Sequence, residues 1–491
     1  MSRASSVALA LVASAVSLGI LGDALFQGQW LGLNVGIWTV CFAGALTALV
    51  RLARAPLHQG RRWMIAPLLV FAALFAWRDS PLLVAANLVA VAAAFSMGAL
   101  RRTRPRLTSA AISDYCGGFV AAGCSALAGA IPLLMTDIRW EELVRRGRSQ
   151  KLAAAARGIA IGIPLVVLFG GLFVAADAVF EHLVSAAVPT IDASTVGRVV
   201  IVFLIAWVSG GLLRDLLAAR EDGRLVSAEA LEALKISPRL GAVELNVALA
   251  ILDLLFLAFV VVQFRYLFGG ADVVEATAGL TYAEYARHGF FELVTVTALT
   301  LPLLLLGEWM LGAGERGRRV FRWLAAALLA LLAIVIASAL QRMRLYMQQY
   351  GLTELRLYAT GVILWLAVVC GWFAVTVLRG RRHLFAVGAL AAGFAATLAL
   401  NVVDPDALIA RTNVTRPVVD VGYLAGLSDD AVPTLVRGLQ RLPAEQRSFL
   451  ARALLDRAVG GRDWRSWNLS RERAARVLRA HRDELQRIGG R

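Results

Sequence analysis

The chain has few of the residues from which metal centres and disulfide frameworks are built. Its 491 residues include four cysteines and five histidines. Cys116 and Cys124 are not in a CxxC pair, and no two histidines have HExxH spacing. Neither a GxSxG sequence nor a P-loop is present. The sequence therefore predicts no metal site, no cofactor and no disulfide framework.

Lysine is also scarce, although the chain is strongly basic. Fifty basic residues face 34 acidic ones, for a net charge of +16, and only Lys151 and Lys235 are lysines. In a soluble chain this charge would suggest nucleic-acid binding. Here the arginines lie in short connections between apolar stretches and in the last part of the chain, where they orient helices and meet anionic headgroups. We therefore expect the lipid bilayer as a partner, and no nucleic acid.

Long apolar runs dominate what is present. Hydrophobic residues make up 59% of the chain and the mean hydropathy is +0.69, against roughly 45–50% apolar residues in soluble domains. Stretches of about 17–25 apolar residues can cross a bilayer as helices. The sequence predicts an all-α, polytopic transmembrane helical bundle of about 11 spans (range about 10–13) with a small soluble helical C-terminal appendage. The first span is expected to stay uncleaved, and the spans are 6–22, 31–50, 63–77, 81–100, 157–176, 198–214, 242–264, 289–311, 320–340, 356–378 and 383–402.

The connections alternate between rich and poor in arginine, which predicts a topology. By the positive-inside rule the rich connections are cytoplasmic, namely 51–62, 101–106, 139–151, 214–239, 316–319 and 379–383. The poor ones face outside: 23–30, 78–80, 177–197, 265–288 and 341–355. We expect a multi-pass protein of a bacterial inner (plasma) membrane, with the N-terminus in the cytoplasm and the C-terminal tail external.

Four regions follow from this pattern. They are N-terminal transmembrane helices (1–106), an interfacial or cytoplasmic linker (107–156), a transmembrane core (157–402) and a soluble helical tail (403–491). Residues 107–136 lie between two basic connections, so we expect them to lie on the inner surface or to dip in and return, with an additional crossing as the alternative. In the tail, Ser428 or Asp429 is expected to cap one helix and Ser470 another.

A few polar residues fall inside predicted spans, where ionisable groups are costly. Asp253 lies near the midplane of its span, and Asn246 shares its face. Thr297 and Thr300, close to Pro302, are the facing candidates in the next span. One interpretation is a proton or cation site of a transporter. The other is an interhelical hydrogen bond that holds the bundle together.

Most remaining polar residues lie in connections predicted to be external. Arginine side chains can hold phosphate or carboxylate groups through two hydrogen bonds, so these residues form a candidate site for an anionic headgroup or a partner protein. The alternative is a set of helix caps, interfacial tyrosines and loop ion pairs. The candidate residues are Tyr282, Glu284, Tyr285, Arg287, His288, Glu292, Arg342, Arg344, Tyr350, Glu354, Arg356, Asp404, Asp406, Arg411, Asn413 and Arg416.

Several of these stretches also resemble a known family. They are ADAVF (176–180), GLTYAEYARHGFFELV (279–294), MRLYMQQYGLTELRLYA (343–359), NVVDPDALIARTNVTR (401–416), GYLAGLSDDAVPTL (422–435) and DWRSWNLSR (463–471). The pattern is similar to a bacterial polytopic membrane family known only as domain of unknown function 4173, related to 4153. The resemblance implies an inner-membrane protein and supplies no catalytic residues.

Three functions of different classes remain open. We favour a non-enzymatic membrane component that senses, scaffolds or binds a partner, such as another membrane or envelope protein. The second is a secondary transporter that uses Asp253. The third is a membrane-embedded enzyme on a lipid-linked substrate, with Glu284, His288 and Glu292 as acid and base groups because they are four residues apart and would share a helix face.

Overall fold

The long apolar runs form helices, as the sequence predicts. The computed structural model describes residues 3–54, 59–98, 112–138, 158, 193–217, 242–268, 290–311, 315–457 and 463–490, and all regular secondary structure within them is helical. The bundle comprises α1 (Arg3–Phe26), α2 (Leu33–Ala53), α3 (Gln59–Leu74), α4 (Pro81–Gly98), α5 (Ile112–Ala128), α6 (Ala130–Pro132, continued by a π-helical turn Leu133–Asp137), α7 (Ala193–Leu217), α8 (Ala242–Phe268), α9 (Phe290–Met310), α10 (Glu315–Tyr350), α11 (Glu354–Thr376) and α12 (Phe385–Val403).

The described residues account for only part of the predicted membrane spans. Eight helices of the described residues are long and apolar enough to cross a membrane, or up to nine if a pair bent by 52° within 117–137 counts as one span. The predicted span 63–77 corresponds to a shorter apolar helix, Arg62–Leu74, and 289–311 corresponds to α9; neither is among the eight. The predicted span 157–176 lies outside the described residues. A count of about 11 is therefore not confirmed.

Close backbone contacts hold the N-terminal helices together. A Cβ atom on Gly19 of α1 would lie 2.4 Å from the carbonyl oxygen of Val202 in α7, and one on Gly211 of α7 would lie 1.9 Å from the carbonyl oxygen of Ser125 in α5. Membrane helices without a hydrophobic driving force between them rely on such small-residue contacts. Around these contacts lies an apolar core that includes Phe42, which is fully buried.

A second core joins the helices that follow. Phe321, Leu328 and Leu332 of α10 are buried, and they belong to one apolar cluster with Leu304 of α9 and Phe373 of α11. α12 links the N-terminal helices to those of the second core. The fully buried side-chain amides of Asn401 in α12 and Asn87 in α4 donate to each other at 3.0 and 3.3 Å.

The tail has an apolar core of its own. It comprises α13 (Pro405–Asn413), α14 (Val421–Gly426), α15 (Val432–Gly438), α16 (Ala444–Arg457), α17 (Leu469–Ala480) and α18 (Arg482–Gly489). Leucines at helical spacing, such as Leu450 and Leu454, are buried there with Leu435 and Leu478.

Two predicted caps are wrong in detail: Ala431, not Ser428 or Asp429, precedes α15, and Asn468 rather than Ser470 caps α17. Asn468 is better placed because its side chain accepts from the backbone N–H groups of Ser470 and Arg471, two and three residues further on.

The tail packs against one end of the bundle. Backbone hydrogen bonds join Leu33 to Trp467 and Leu469 to Ala76, at 2.9 and 2.8 Å. The connections 27–32, 75–80 and 350–354 therefore share a face with the tail, as the topology requires. At the opposite end Arg214 pairs with Asp137 at 2.6 Å.

Candidate functional site

Two of the candidate external residues cap the end of a long helix. α10 has 36 residues, about 54 Å at ~1.5 Å per residue, so it extends beyond a hydrocarbon core of ~30 Å. Its last carbonyls have no partner within the helix. Arg416 donates to the carbonyls of Gln348 and Gln349 at 2.8 and 2.6 Å. The side-chain amide of Asn413 accepts from the backbone N–H of Leu352 at 2.9 Å and donates to its carbonyl at 2.7 Å. These two side chains therefore stabilise the turn between α10 and α11.

Arg356 is occupied in the same turn. Its guanidinium group donates to the carbonyl of Gly351 at 2.6 Å and lies 4.0 Å from the ring centre of Tyr346. Tyr350, on the other side, is 54% exposed. Arg356 is thus held by carbonyls and a ring, so it is not poised to bind an anion.

Four other candidate external residues differ in their exposure. Arg344 and Arg411 are exposed, Arg342 is partly buried and partnered, and Glu292 is exposed at the start of α9. Five further candidates, Tyr282, Glu284, Tyr285, Arg287 and His288, lie outside the described residues. The proposed enzymatic group of Glu284, His288 and Glu292 therefore stays a prediction.

The structure places a buried ionic cluster, which we call the tail junction (Arg78, Asp79, Asp404, Asp430, Ser470 and Arg471), between the tail and the bundle. Its centre is Arg78, whose side chain is 8% exposed. Arg78 forms an ion pair with Asp404, lies 3.5 Å from a carboxylate oxygen of Asp430, and donates to the carbonyl of Asn401 at 2.7 Å. One side chain of the α3–α4 connection therefore holds the end of α12 and the tail.

Asp430 accepts hydrogen bonds from both sides of the tail junction. It accepts from the backbone N–H groups of Asp79 and Ser80 at 2.8 and 3.1 Å, and from the hydroxyl of Ser470. Its side chain is 1% exposed. Hydrogen bonds to a buried carboxylate compensate the loss of its hydration.

α17 completes the attachment. The Asn468 amide donates to the carbonyls of Phe75 and Arg78, both at 2.8 Å. Arg471 pairs with Asp79 at 2.6 Å and donates to the carbonyl of Leu31 at 3.2 Å. The carbonyls that end α3 and precede α4 thus find their partners in the tail.

Burial makes the carboxyl groups at this face harder to ionise. Desolvation, reinforced by Asp430, raises the pKa of Asp404 to about 6, against the opposing effect of Arg78. Desolvation likewise raises the pKa of Asp79 and the pKa of Asp406. The protonated forms of these carboxyl groups are therefore favoured relative to free aspartate.

Glu354 and Asp406 form a carboxyl pair beside the tail junction. Desolvation, the charge of Asp406 and the nearness of its side chain raise the pKa of Glu354. Asp406 is fully buried; one of its oxygens accepts from the backbone N–H of Ser428 at 3.2 Å, and the other has no hydrogen-bond partner within the described part of the chain. Two adjoining carboxylates are stable only when a proton or a cation lies between or beside them.

A cavity of about 920 Å³, the tail cavity, opens beside this pair. Its walls come from the α1–α2 connection, the α3–α4 connection, the start of α11 and the tail. Trp30, at its edge, is 78% exposed. The charged side chains that line it are Asp79, Glu354, Asp429, Arg457, Asp463 and Arg471.

Sequence reasoning missed most of this site. Asp430, Asn468, Ser470 and Arg471 lie in two of the stretches that resemble the family, which is the signal that could have directed attention to them. Arg78 lies in the short connection between α3 and α4, and Asp430 is 352 positions further along the chain, so nothing local relates them.

The intramembrane polar residues do not meet as predicted. The hydroxyls of Thr297 and Thr300 donate to carbonyls of their own helix, Leu293 and Val296, at 2.8 and 2.7 Å. Asn246 donates to the carbonyl of Gly317 in α10 at 3.1 Å. The two threonines and Asn246 thus bond to backbone carbonyls, and none of them bonds to Asp253.

Asp253 itself faces α10. It lines an apolar cavity of about 590 Å³ between α8 and α10, and neither of its carboxylate oxygens has a hydrogen-bond partner in the described ranges. No group of three or more His, Cys, Asp or Glu side chains that could hold a metal ion occurs among the described residues.

The fold and this site define a class: a polytopic helical membrane protein whose helical C-terminal tail is fixed to one end of the bundle. The family model described as domain of unknown function DUF4153 matches residues 65–438. The chain therefore belongs to the DUF4153 family. No curated protein matches the chain, and no solved structure does.

Proposed function

We propose that the chain is a sensing or partner-binding component of a bacterial inner membrane, and that its receptor surface is the tail cavity. The observation that carries the proposal is that one cavity of about 920 Å³ is lined by two connections of the bundle, by the starts of α4 and α11, and by the tail. A ligand in such a cavity contacts both parts, so its binding changes the free energy of their attachment.

The tail face is proposed to be external. The positive-inside rule supports this, because Arg3, Arg54 and Arg381 lie at the other end of the bundle. Exposed tryptophans at both ends also suit two membrane interfaces, with Trp30 on the tail side and Trp323 near the start of α10. We also propose that the chain is related to the family known as domain of unknown function 4173.

Photo-crosslinking in intact cells tests the proposal. A benzophenone side chain replaces Trp30, at the edge of the tail cavity, or Trp323, which is 75% exposed at the other end. We expect irradiation to give a discrete adduct from position 30 that is missing from position 323. The absence of an adduct at position 30, or the same adducts at both positions, contradicts the proposal.

A secondary transporter is the second candidate, supported by the two unpartnered carboxylate oxygens of Asp253 beside a cavity. Buried ionisable groups at membrane depth often mark proton or ion pathways. Proteoliposomes under an imposed pH gradient, with a pH-sensitive dye inside, test it. The Asp253→Asn variant should lose a proton flux that the Thr297→Val control keeps. A wild-type protein without flux removes this candidate.

A further inference from the structure

We propose that the tail cavity binds a small organic cation through its ammonium or guanidinium groups, with Glu354 as the anchoring carboxylate. This inference names a ligand class for the cavity and so rests on the proposed function. The inference rests on which arginines and carboxylates of the cavity wall already have a partner of opposite charge and which do not.

Both arginines of the wall are engaged within the protein. Arg471 pairs with Asp79 and donates to the carbonyls of Leu31 and Ser466 at 3.2 and 3.1 Å. Arg457 donates to the carbonyl of Leu427 at 2.6 Å and lies 3.7 Å from Asp429. An anionic ligand would have to break these contacts, so the wall disfavours phosphate and carboxylate groups.

The carboxylates of the wall outnumber the arginines. Four carboxylates line the cavity against two arginines. Three of the four have basic partners, since Asp463 pairs with Arg465 at 2.6 Å and Asp79 and Asp429 pair as described. For Glu354 no basic partner occurs within the described residues, so its carboxylate is the charge left over.

Asp406 does not itself line the cavity, but it gives a second observation behind Glu354. Its side chain is fully buried, one carboxylate oxygen has no hydrogen-bond partner in the described part of the chain, and it adjoins Glu354. A ligand N–H group that reaches Glu354 adds positive charge beside both carboxylates. Trp30 at the edge offers a ring face, which attracts cations but not anions.

The ammonium or guanidinium groups could come from a free amine or from the side chains of a basic peptide. Both sources share the recognition chemistry: several N–H donors and a positive charge. The cavity volume of about 920 Å³ falls in the range of sites for drug-sized ligands, roughly 300–1,000 Å³. The probes are therefore spermidine and trilysine, with inorganic phosphate as the anionic comparison.

Isothermal titration of the purified full chain in nanodiscs tests the proposal. We expect saturable binding of spermidine or trilysine and no binding of phosphate. The tighter of the two cations then identifies the free-amine or the peptide source. Binding of neither cation, or tighter binding of phosphate, overturns the proposal.

Variants locate the anchor. Glu354→Gln should weaken cation binding at least about tenfold, which corresponds to ~1.4 kcal/mol. Glu445→Gln is the matched control, because Glu445 also lies in the first turn of a helix but is exposed on the tail; it should bind as the wild type does. Equal affinity of Glu354→Gln and wild type contradicts the assignment.

A third variant separates binding from folding. Trp30 is 78% exposed, so Trp30→Ala leaves the packing intact and should weaken cation binding several-fold through loss of the ring face. Unchanged affinity of Trp30→Ala counts against the geometry proposed. If crosslinking at position 30 succeeds while both cations fail to bind, the proposed function stands and only the ligand class is wrong. If a cation binds but position 30 gives no crosslink, the ligand class stands and the proposed function is wrong.

Discussion

Replacing Arg78 by methionine should release the tail from the bundle. Methionine fills much of the space of the arginine stem but leaves Asp404 and Asp430 without their counter-ion, and their side chains are 21% and 1% exposed. Breaking a buried ion pair on one side costs about 3–5 kcal/mol. The fraction of molecules with a detached tail should therefore rise roughly 10²- to 10⁴-fold.

Slow proteolysis at low protease concentration over a urea series, with the full chain in nanodiscs at pH 8, measures the change. Cleavage within the tail reports the population of the open form when opening and closing are fast. The matched control is Arg476→Met, since Arg476 forms an exposed pair with Glu472 at 3.8 Å and is 62% exposed. We expect the control to change the free energy of detachment by less than about 1 kcal/mol.

Two outcomes would refute this reasoning. One is an Arg78→Met protein within about 1 kcal/mol of the wild type, which would mean that the ion pairs contribute no more than surface pairs do. The other concerns the double variant of Arg78→Met with Asp404→Asn. It should recover part of the loss because the unpaired charge is gone, so a further loss of similar size would contradict the role assigned to the pair.

Three further predictions concern pH, a turn and a helix contact. The raised pKa of Asp404, about 6, means that the attached state binds more protons. Attachment should weaken as pH rises from about 4 through 6, and Asp404→Asn should reduce this dependence in the same proteolysis assay. Asn413→Ala leaves both backbone groups of Leu352 unpaired and should cost about 1–3 kcal/mol by thermal unfolding, whereas an unchanged melting temperature would exclude a structural role. Gly211→Ala should lower the melting temperature, because its Cβ would lie 1.9 Å from the Ser125 carbonyl; an unchanged value would place α5 and α7 further apart.

The parts of the fold that depend on local sequence were predictable. Runs of apolar residues mark α1, α2 and α12, and leucines at helical spacing mark α16 in the tail. The order of arginine-rich and arginine-poor connections predicted that the α3–α4 connection shares a face with the tail, and the contacts of Asn468 agree.

The site was less predictable, for two physical reasons. First, the tail junction joins residues such as Arg78 and Asp430 that only the tertiary fold brings together. Second, an arginine or asparagine in a polar loop looks the same whether it binds a ligand or caps a helix. Arg416 caps α10 and Asn413 holds the turn after it, which only the positions of the backbone groups there reveal.

Cysteine labelling on intact cells tests most directly whether the tail cavity faces outward. Arg482→Cys places a thiol on the exposed surface of the tail, and Arg381→Cys places one at the exposed connection on the opposite end of the bundle. We predict that a membrane-impermeant maleimide labels position 482 in intact cells and labels position 381 only after permeabilisation. Labelling of position 381 in intact cells, with position 482 protected until the membrane is opened, would contradict the account.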